Sequence, residues 1–386
     1  MENLNFFDDF RRNLIDQYEK CEAYKIICDN QKYNPKTQLK CEEDIEKVPF
    51  LVTTVFKKSA NLFDKLLKVP TNELDKWTVS SSTSGDPSFV GRKNEDIDTL
   101  RQIIKNDTMI DPKCEFNCVF YPEPEVMKKY KSIKIMDKPT ESYIGNVLDL
   151  MADTSDFGSN AKFLLKPYED RFDVDIDEFA EFIKVHDKMK HYLLIGGSTI
   201  LLYNAVEALK KNGVKPVELG DKAIIRTGGG GWDGKKGNVS MGKKMERWQF
   251  VKIVSEFLGI PEENFIDIYS FTENSLPITG HYSSKLKNYL FHVPSGGRVV
   301  IRDPKTLKPL HNDGDKGLIQ ILNAYGTSAF AGASILVDDM AEIVSKEKCP
   351  ECMANCMTIK ILGRVKGSEA KGCGATLNVG GDKNEN

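Results

Sequence analysis

Apolar positions fall into two textures along the chain. From Phe6 to Cys21 they recur three and four residues apart (Phe6, Phe7, Phe10, Leu14, Tyr18, Cys21). That is the spacing of one helix face, so residues 1–30 are predicted to be an amphipathic helix, ended by the polar stretch around Pro35. VPFLVTTVFKK (48–58) reads as a short buried strand or extended segment. Helical patterns then alternate with apolar runs: a polar, helix-compatible stretch over 94–106, FNCVFYP over 116–122 and YIGNVLDLM over 143–151. HYLLIGGSTILLYNAVEALKKNG (191–213) reads as strand, glycine turn and helix, and KAIIRTGGGG (222–231) as a strand running into glycines. Residues 245–258 follow as a helix closed by Gly259 and Pro261, and ENFIDIYSF (263–271) as another strand. Strands alternating with helices of about 10–15 residues predict an α/β fold around a largely parallel, helix-covered sheet. From about residue 290 the runs shorten to LFHVP, RVVIRDP, KGLIQILN and ASILVDDMAEIV. They predict a smaller, more antiparallel β-rich subdomain.

Charge narrows the partners. Fifty-four Lys+Arg against 57 Asp+Glu leave a net charge of −3, so no global basic field exists to hold nucleic acid. No apolar run approaches the roughly 20 residues that span a bilayer. The opening MENLNFFDDFRRNL lacks the apolar core of a signal peptide. A cytoplasmic protein without membrane insertion is expected. Its nine cysteines, an odd number, point to thiols, metal ligation or catalysis rather than a disulfide framework.

Four of those cysteines crowd the end of the chain. Cys349, Cys352 and Cys356 have C-x2-C-x3-C spacing. They are either a structural zinc knuckle, needing a fourth ligand such as Cys373, His311 or Cys114, or reduced and partly buried thiols. His186, His191, His281, His292 and His311 show no ligand spacing among themselves. Cys373 stands between Gly372 and Gly374, with Lys366 and Lys371 nearby. Flanking lysines lower a thiol's pKa, so this cysteine is a nucleophile, a metal ligand or an idle thiol.

Phosphate chemistry has two candidate loops. Ser80, Ser81, Ser82, Thr83, Ser84 and Gly85, followed by Asp86-Pro87-Ser88, form either a Ser/Thr-rich surface loop or a cradle of hydroxyl and backbone donors for phosphate. Residues 228–242 hold seven glycines, which suit either a flexible loop or close backbone approach to a ligand.

The order of five segments resembles the adenylate-forming enzymes. Ser80–Pro87 resembles their TSGTTGxPK loop, although Ser82 replaces a glycine and Ser88 a lysine. Ile268–Glu273 resembles YGxTE, and Gly314–Leu318 resembles GExGEL. Val337–Met340 falls where TGDL lies, and Gly363-Arg364 resembles the hinge GR. The resemblance implies an ATP- and Mg2+-dependent enzyme. It would place the 80–85 loop on the phosphates, Gly229 and Gly230 against adenine, and Tyr269 and Thr272 at the nucleotide. Glu273 would lie on Mg2+, Asp339 on the ribose hydroxyls and Arg364 facing the phosphates.

Only 22 residues of the 386 follow Arg364, too few for the lid domain of about 100 residues that such acid ligases carry. The expected layout is an adenylation domain over 1–362 and a short tail over 363–386 in place of a lid. With its GR…GC tail, the whole chain resembles the acyl-protein synthetases (LuxE family). That resemblance implies activation of a fatty acid to acyl-AMP, transfer to Cys373 as a thioester, and delivery to a LuxC-like acyl reductase. Two rival readings are a ligase passing the acyl group to coenzyme A or a carrier protein, and a non-catalytic scaffold of the same fold.

Overall fold

The computed structural model describes residues 5–80, 86–105, 114–130, 132–154, 160–168, 171–228, 230, 232, 235–236, 239–240, 245–274 and 276–364. The amphipathic start is two helices rather than one. Phe6–Lys20, capped by the Asn5 side chain, ends at an extended Cys21, and Glu22–Asn30 follows. Phe6, Phe10 and Leu14 bury the face that the spacing predicts. In VPFLVTTVFKK only Leu51–Val52 is strand; Thr53–Phe56 turns into a 3-10 helix.

A 13-stranded sheet organises the rest. Ala161–Phe163, Phe116–Phe120, Leu193–Ser198, Ala223–Gly228 and Phe265–Tyr269 lie side by side and parallel. Helices Ile176–Val185, Thr199–Lys211 and Arg247–Leu258 supply the connections. Buried apolar positions such as Phe179, Ile183, Leu202, Val206 and Val254 join the sheet in one continuous core. The Arg247–Leu258 helix ends on Gly259 at φ 62°, a left-handed cap that leaves no room for a side chain against the Glu218 backbone. No glycine turn separates Leu193–Ser198 from its helix. Gly196 and Gly197 lie inside the strand, and Thr199 starts the helix directly.

The antiparallel texture begins at Ile278–Ser283, before residue 290, and it continues the same sheet. Ile266 pairs with His281 across the parallel-to-antiparallel boundary. Asn288–His292, Thr358–Arg364, Ser334–Ser345, Lys316–Asn323, Gly297–Arg302 and Pro309–Leu310 follow in spatial order. Separately, Lys76–Val79 and Phe89–Arg92 form a hairpin within a four-stranded sheet. No helix among the described residues is long and apolar enough to cross a membrane.

Candidate active site

The hydroxyl-rich loop is the connection of that hairpin. Its base is closed by the Ser80 N–H donating to Ser88 O (3.0 Å) and the Ser88 N–H donating to Ser80 Oγ (2.8 Å). On the flank, Asp86 accepts from the Ser59 N–H (2.7 Å) and hydroxyl (2.5 Å). Ser81, Ser82, Thr83, Ser84 and Gly85 lie outside the described residues, as do Gly229 and Cys373.

Arg92, at the end of the returning strand, is a residue that sequence reasoning passed over. It is buried, and its guanidinium donates to Gly326 O (2.8 Å) and Thr272 O (2.9 Å) while stacking 4.6 Å from the Phe330 ring. A buried cation must be paired. The arginine in the otherwise apolar FVGR strand was the signal for it. Through this contact the hairpin holds the turn that carries Thr272 and Glu273.

Thr272 and Glu273 follow the Phe265–Tyr269 strand, each 3% exposed. Glu273 Oε1 is buried without a hydrogen-bond partner. An anionic oxygen in that position is costly to keep, and a hard divalent cation satisfies it. Mg2+ fits this oxygen by its donor chemistry.

Tyr269, Asp339 and Arg364 form one group, although three strands separate Phe265–Tyr269 from Ser334–Ser345 in the sheet. The Tyr269 hydroxyl donates to Asp339 Oδ2 (2.7 Å), and Arg364 Nε lies 3.5 Å from Asp339 Oδ1. Asp339 and Arg364 face each other in strand register. Burial pushes the Asp339 carboxyl up, opposed by Arg364 and the Tyr269 hydroxyl. Beneath them Asp267, which accepts from the Thr227 hydroxyl (3.1 Å), is lifted by burial to about 6 despite the neighbouring Arg247. Neither Asp267 nor Arg247 stands out in the sequence. Trp232 packs between Phe250 (5.5 Å) and Tyr289 (6.1 Å), with Arg247 5.3 Å from its ring. Gly230 adopts φ 71°. Gly314 lies in a turn closed by the Asp315 carboxylate, which accepts from the His311 and Asn312 N–H groups, and Lys316–Leu318 open the Lys316–Asn323 strand.

A cavity of about 60 Å³ opens at the carboxyl ends of the parallel strands. Val119, Tyr121, Leu148, Met151 and Ile268 line it, with Gly196, Gly197 and Gly228 forming its strand side. It lies where the chain order reverses: Phe116–Phe120 has Ala161–Phe163 on one side and Leu193–Ser198 on the other. Such crevices are where open α/β sheets bind ligands. Gly197, at φ 113°, brings the Phe120 backbone within 2.9–3.1 Å of where a Cβ would stand, so this wall is necessarily bare. Ser270, three residues before Glu273, touches the same cavity.

The cysteine knuckle differs from its sequence-based ligand set. Cys349 and Cys352 gather with His281 and His292, not with Cys356, whose Sγ points to Ala354 O at 3.9 Å.

The architecture of the sheet and its helices is that of the adenylate-forming fold. Solved structures of a 2-hydroxyisobutyryl-CoA ligase share that fold. One, in complex with 2-HIB-AMP and CoA in the thioesterification state, is 16% identical, covers 93% of this chain and 67% of its own, and superposes with a TM-score of 0.62. An open conformation of the same ligase is 14% identical at TM-score 0.62, over 94% of this chain and 76% of its own. The family model for acyl-protein synthetase, LuxE, matches residues 2–380. The chain belongs to that family, whose members are AMP-forming acyl-protein ligases. A long-chain-fatty-acid–luciferin-component ligase of Aliivibrio fischeri is 23% identical over 367 residues, covering 93% of this chain and 84% of the relative.

Proposed function

We propose that this protein activates a fatty acid with ATP and Mg2+ and then carries the acyl group on its own Cys373. The observation that carries the adenylation half is Glu273: a buried carboxylate oxygen without a donor, four residues after Tyr269 of the Tyr269–Asp339–Arg364 group and three after Ser270, which lines an apolar cavity. The fatty acid's carboxylate oxygen forms a bond to the α-phosphorus as the bond to pyrophosphate breaks. Ser80–Gly85 would cradle the phosphates, Thr272 and Arg364 would stabilise charge at the reacting group, and Glu273 would hold Mg2+. Gly229 and Gly230 would lie against adenine, and Asp339 would accept from the ribose hydroxyls. In the second step the Cys373 thiolate forms a C–S bond to the acyl carbon while the C–O bond to AMP breaks. Gly372-Cys373-Gly374 and the nearby Lys366 and Lys371 support that role. The thioester is then delivered to an acyl reductase.

ATP with radiolabelled fatty acid should label the protein, and hydroxylamine should remove the label. Cys373→Ser should lose labelling while keeping acid-dependent ATP–pyrophosphate exchange. A variant that still labels sinks the Cys373 assignment, and coenzyme A-dependent AMP release without self-labelling sinks the acyl-protein step.

A further inference from the structure

We propose that His281, His292, Cys349 and Cys352 form a four-coordinate structural zinc site that fastens the Ile278–His292 hairpin to the loop preceding the Thr358–Arg364 strand. One ligand atom from each of the four residues lies within 4.8 Å of the others. Bonds of about 2.3 Å to sulfur and about 2.0–2.1 Å to nitrogen put tetrahedral ligands about 3.3–3.8 Å apart. Cys352 Sγ already stands 3.5 Å from His292 Nε2, and with all four atoms within 4.8 Å the remaining pairs need to approach by at most about 1.5 Å to close the shell.

Both histidines come from sheet register. His281 faces Leu290 across the hairpin, and His292 lies two residues further along the same strand. They are therefore diagonal neighbours on one face, with rings 5.0 Å apart. The two cysteines come from a tight turn in which the Met353 N–H donates to Cys349 O (3.2 Å) and Met353 takes φ 65°.

The surroundings suit a ligand cluster better than a packing one. Both ring nitrogens of His281 are buried without a hydrogen-bond partner, which a purely packed imidazole would not tolerate. Glu351 places a carboxylate 3.9 Å from His281 Nε2 and is itself fixed by the Ser283 hydroxyl (2.5 Å). A carboxylate beside a ligand imidazole is the usual orienting partner in zinc sites. Two soft sulfurs with two imidazoles at tetrahedral spacing select zinc, and four protein ligands leave no open position for catalysis. Cys349 is fully buried while Cys352 is exposed, giving the ion a way in.

The untagged full chain, purified without chelator, should contain about one zinc per chain by mass spectrometry. Cobalt exchanged for it should give the absorption of a tetrahedral S2N2 centre. His281→Asn and Cys352→Ser should each lose most of the metal, whereas Cys356→Ser should keep it. If the first two fail to fold, the wild type answers alone: chelation should expose two additional fast-reacting thiols and lower Tm. Wild-type protein that binds neither zinc nor cobalt overturns the site. Zinc retained in His281→Asn or lost in folded Cys356→Ser overturns this ligand set.

Discussion

Glu273→Gln should make the free protein more stable and the enzyme nearly inactive. Glu273 is 3% exposed, and its Oε1 has no donor. An unsatisfied buried polar group costs about 1–3 kcal/mol, more when charged. The glutamine keeps the shape and removes the anion, although its amide still needs partners and Arg92 loses one of its attracting charges. Asp96 stands ahead of Glu273 among the carboxylates that favour the Arg92 cation, so that loss is the smaller effect. The net expectation is a gain of about 1 kcal/mol, or a Tm higher by about 1–2 °C for a chain of 386 residues. Removing the negative charge that would hold Mg2+ should cost about 10²–10³ in ATP–pyrophosphate exchange, the size of one preorganised electrostatic contact. Raising Mg2+ should restore little of it. The two readouts move in opposite directions, as expected where strain serves function. Unchanged exchange would refute the metal role. A marked loss of Tm with intact exchange would mean that the carboxylate belongs to the scaffold.

Two further expectations test the surroundings of the site. Arg92→Lys keeps a charge but loses the fork that spans Gly326 O and Thr272 O; with charge-assisted bonds worth about 1.5–3 kcal/mol each, urea unfolding should show a loss of about 2–4 kcal/mol and exchange should fall with it, whereas wild-type values in both assays would discount the coupling. Asp267 holds a proton in the folded state between its ordinary 3.8 and about 6. Because the unfolded chain has already released that proton, stability should fall as pH rises through this window, by up to about 3 kcal/mol at about 1.4 kcal/mol per unit. Asp267→Asn should flatten that limb of the Tm–pH curve, and an unaltered limb would count against the burial argument.

Much of this arrangement was legible because it is local. The alternation of apolar runs marks four of the five parallel strands, all but Ala161–Phe163, and the helices after Leu193–Ser198 and before Phe265–Tyr269, and Gly259 marks a helix end by its chemistry. Tyr269, Thr272, Glu273, Asp339 and Arg364 are recognisable from short motifs, and the structure brings Tyr269, Asp339 and Arg364 into contact. What stayed hidden depends on register. Arg92 finds Thr272 across 180 positions, and no periodicity encodes that meeting. The histidine pair hides for the same reason. His281 and His292 lie 11 residues apart with no motif spacing, and only the hairpin register sets them on one face. A sharper clue existed: two histidines flanking a polar turn, upstream of a C-x2-C, would have been a better partner set than Cys356.

The Thr358–Arg364 strand connects the two clusters, and its pairing suggests how they influence each other. Its first residue pairs with His292 and its last with Asp339. Only two residue pairs tie it to Asn288–His292, and two register shifts interrupt its pairing with Ser334–Ser345. A strand held by so few backbone pairs on one side needs another fastening, which a zinc ion at the Cys349–Cys352 turn would supply. Removing the ion should therefore loosen the far end, where Arg364 meets Asp339. Chelated protein should show a KM for ATP about fivefold higher, a coupling of about 1 kcal/mol, with little change in the KM for the acid. Readdition of zinc should restore the original value. An ATP KM unmoved by chelation, in protein shown to have lost its metal, would mean that the strand is set by its backbone pairing alone and that the two clusters are energetically separate.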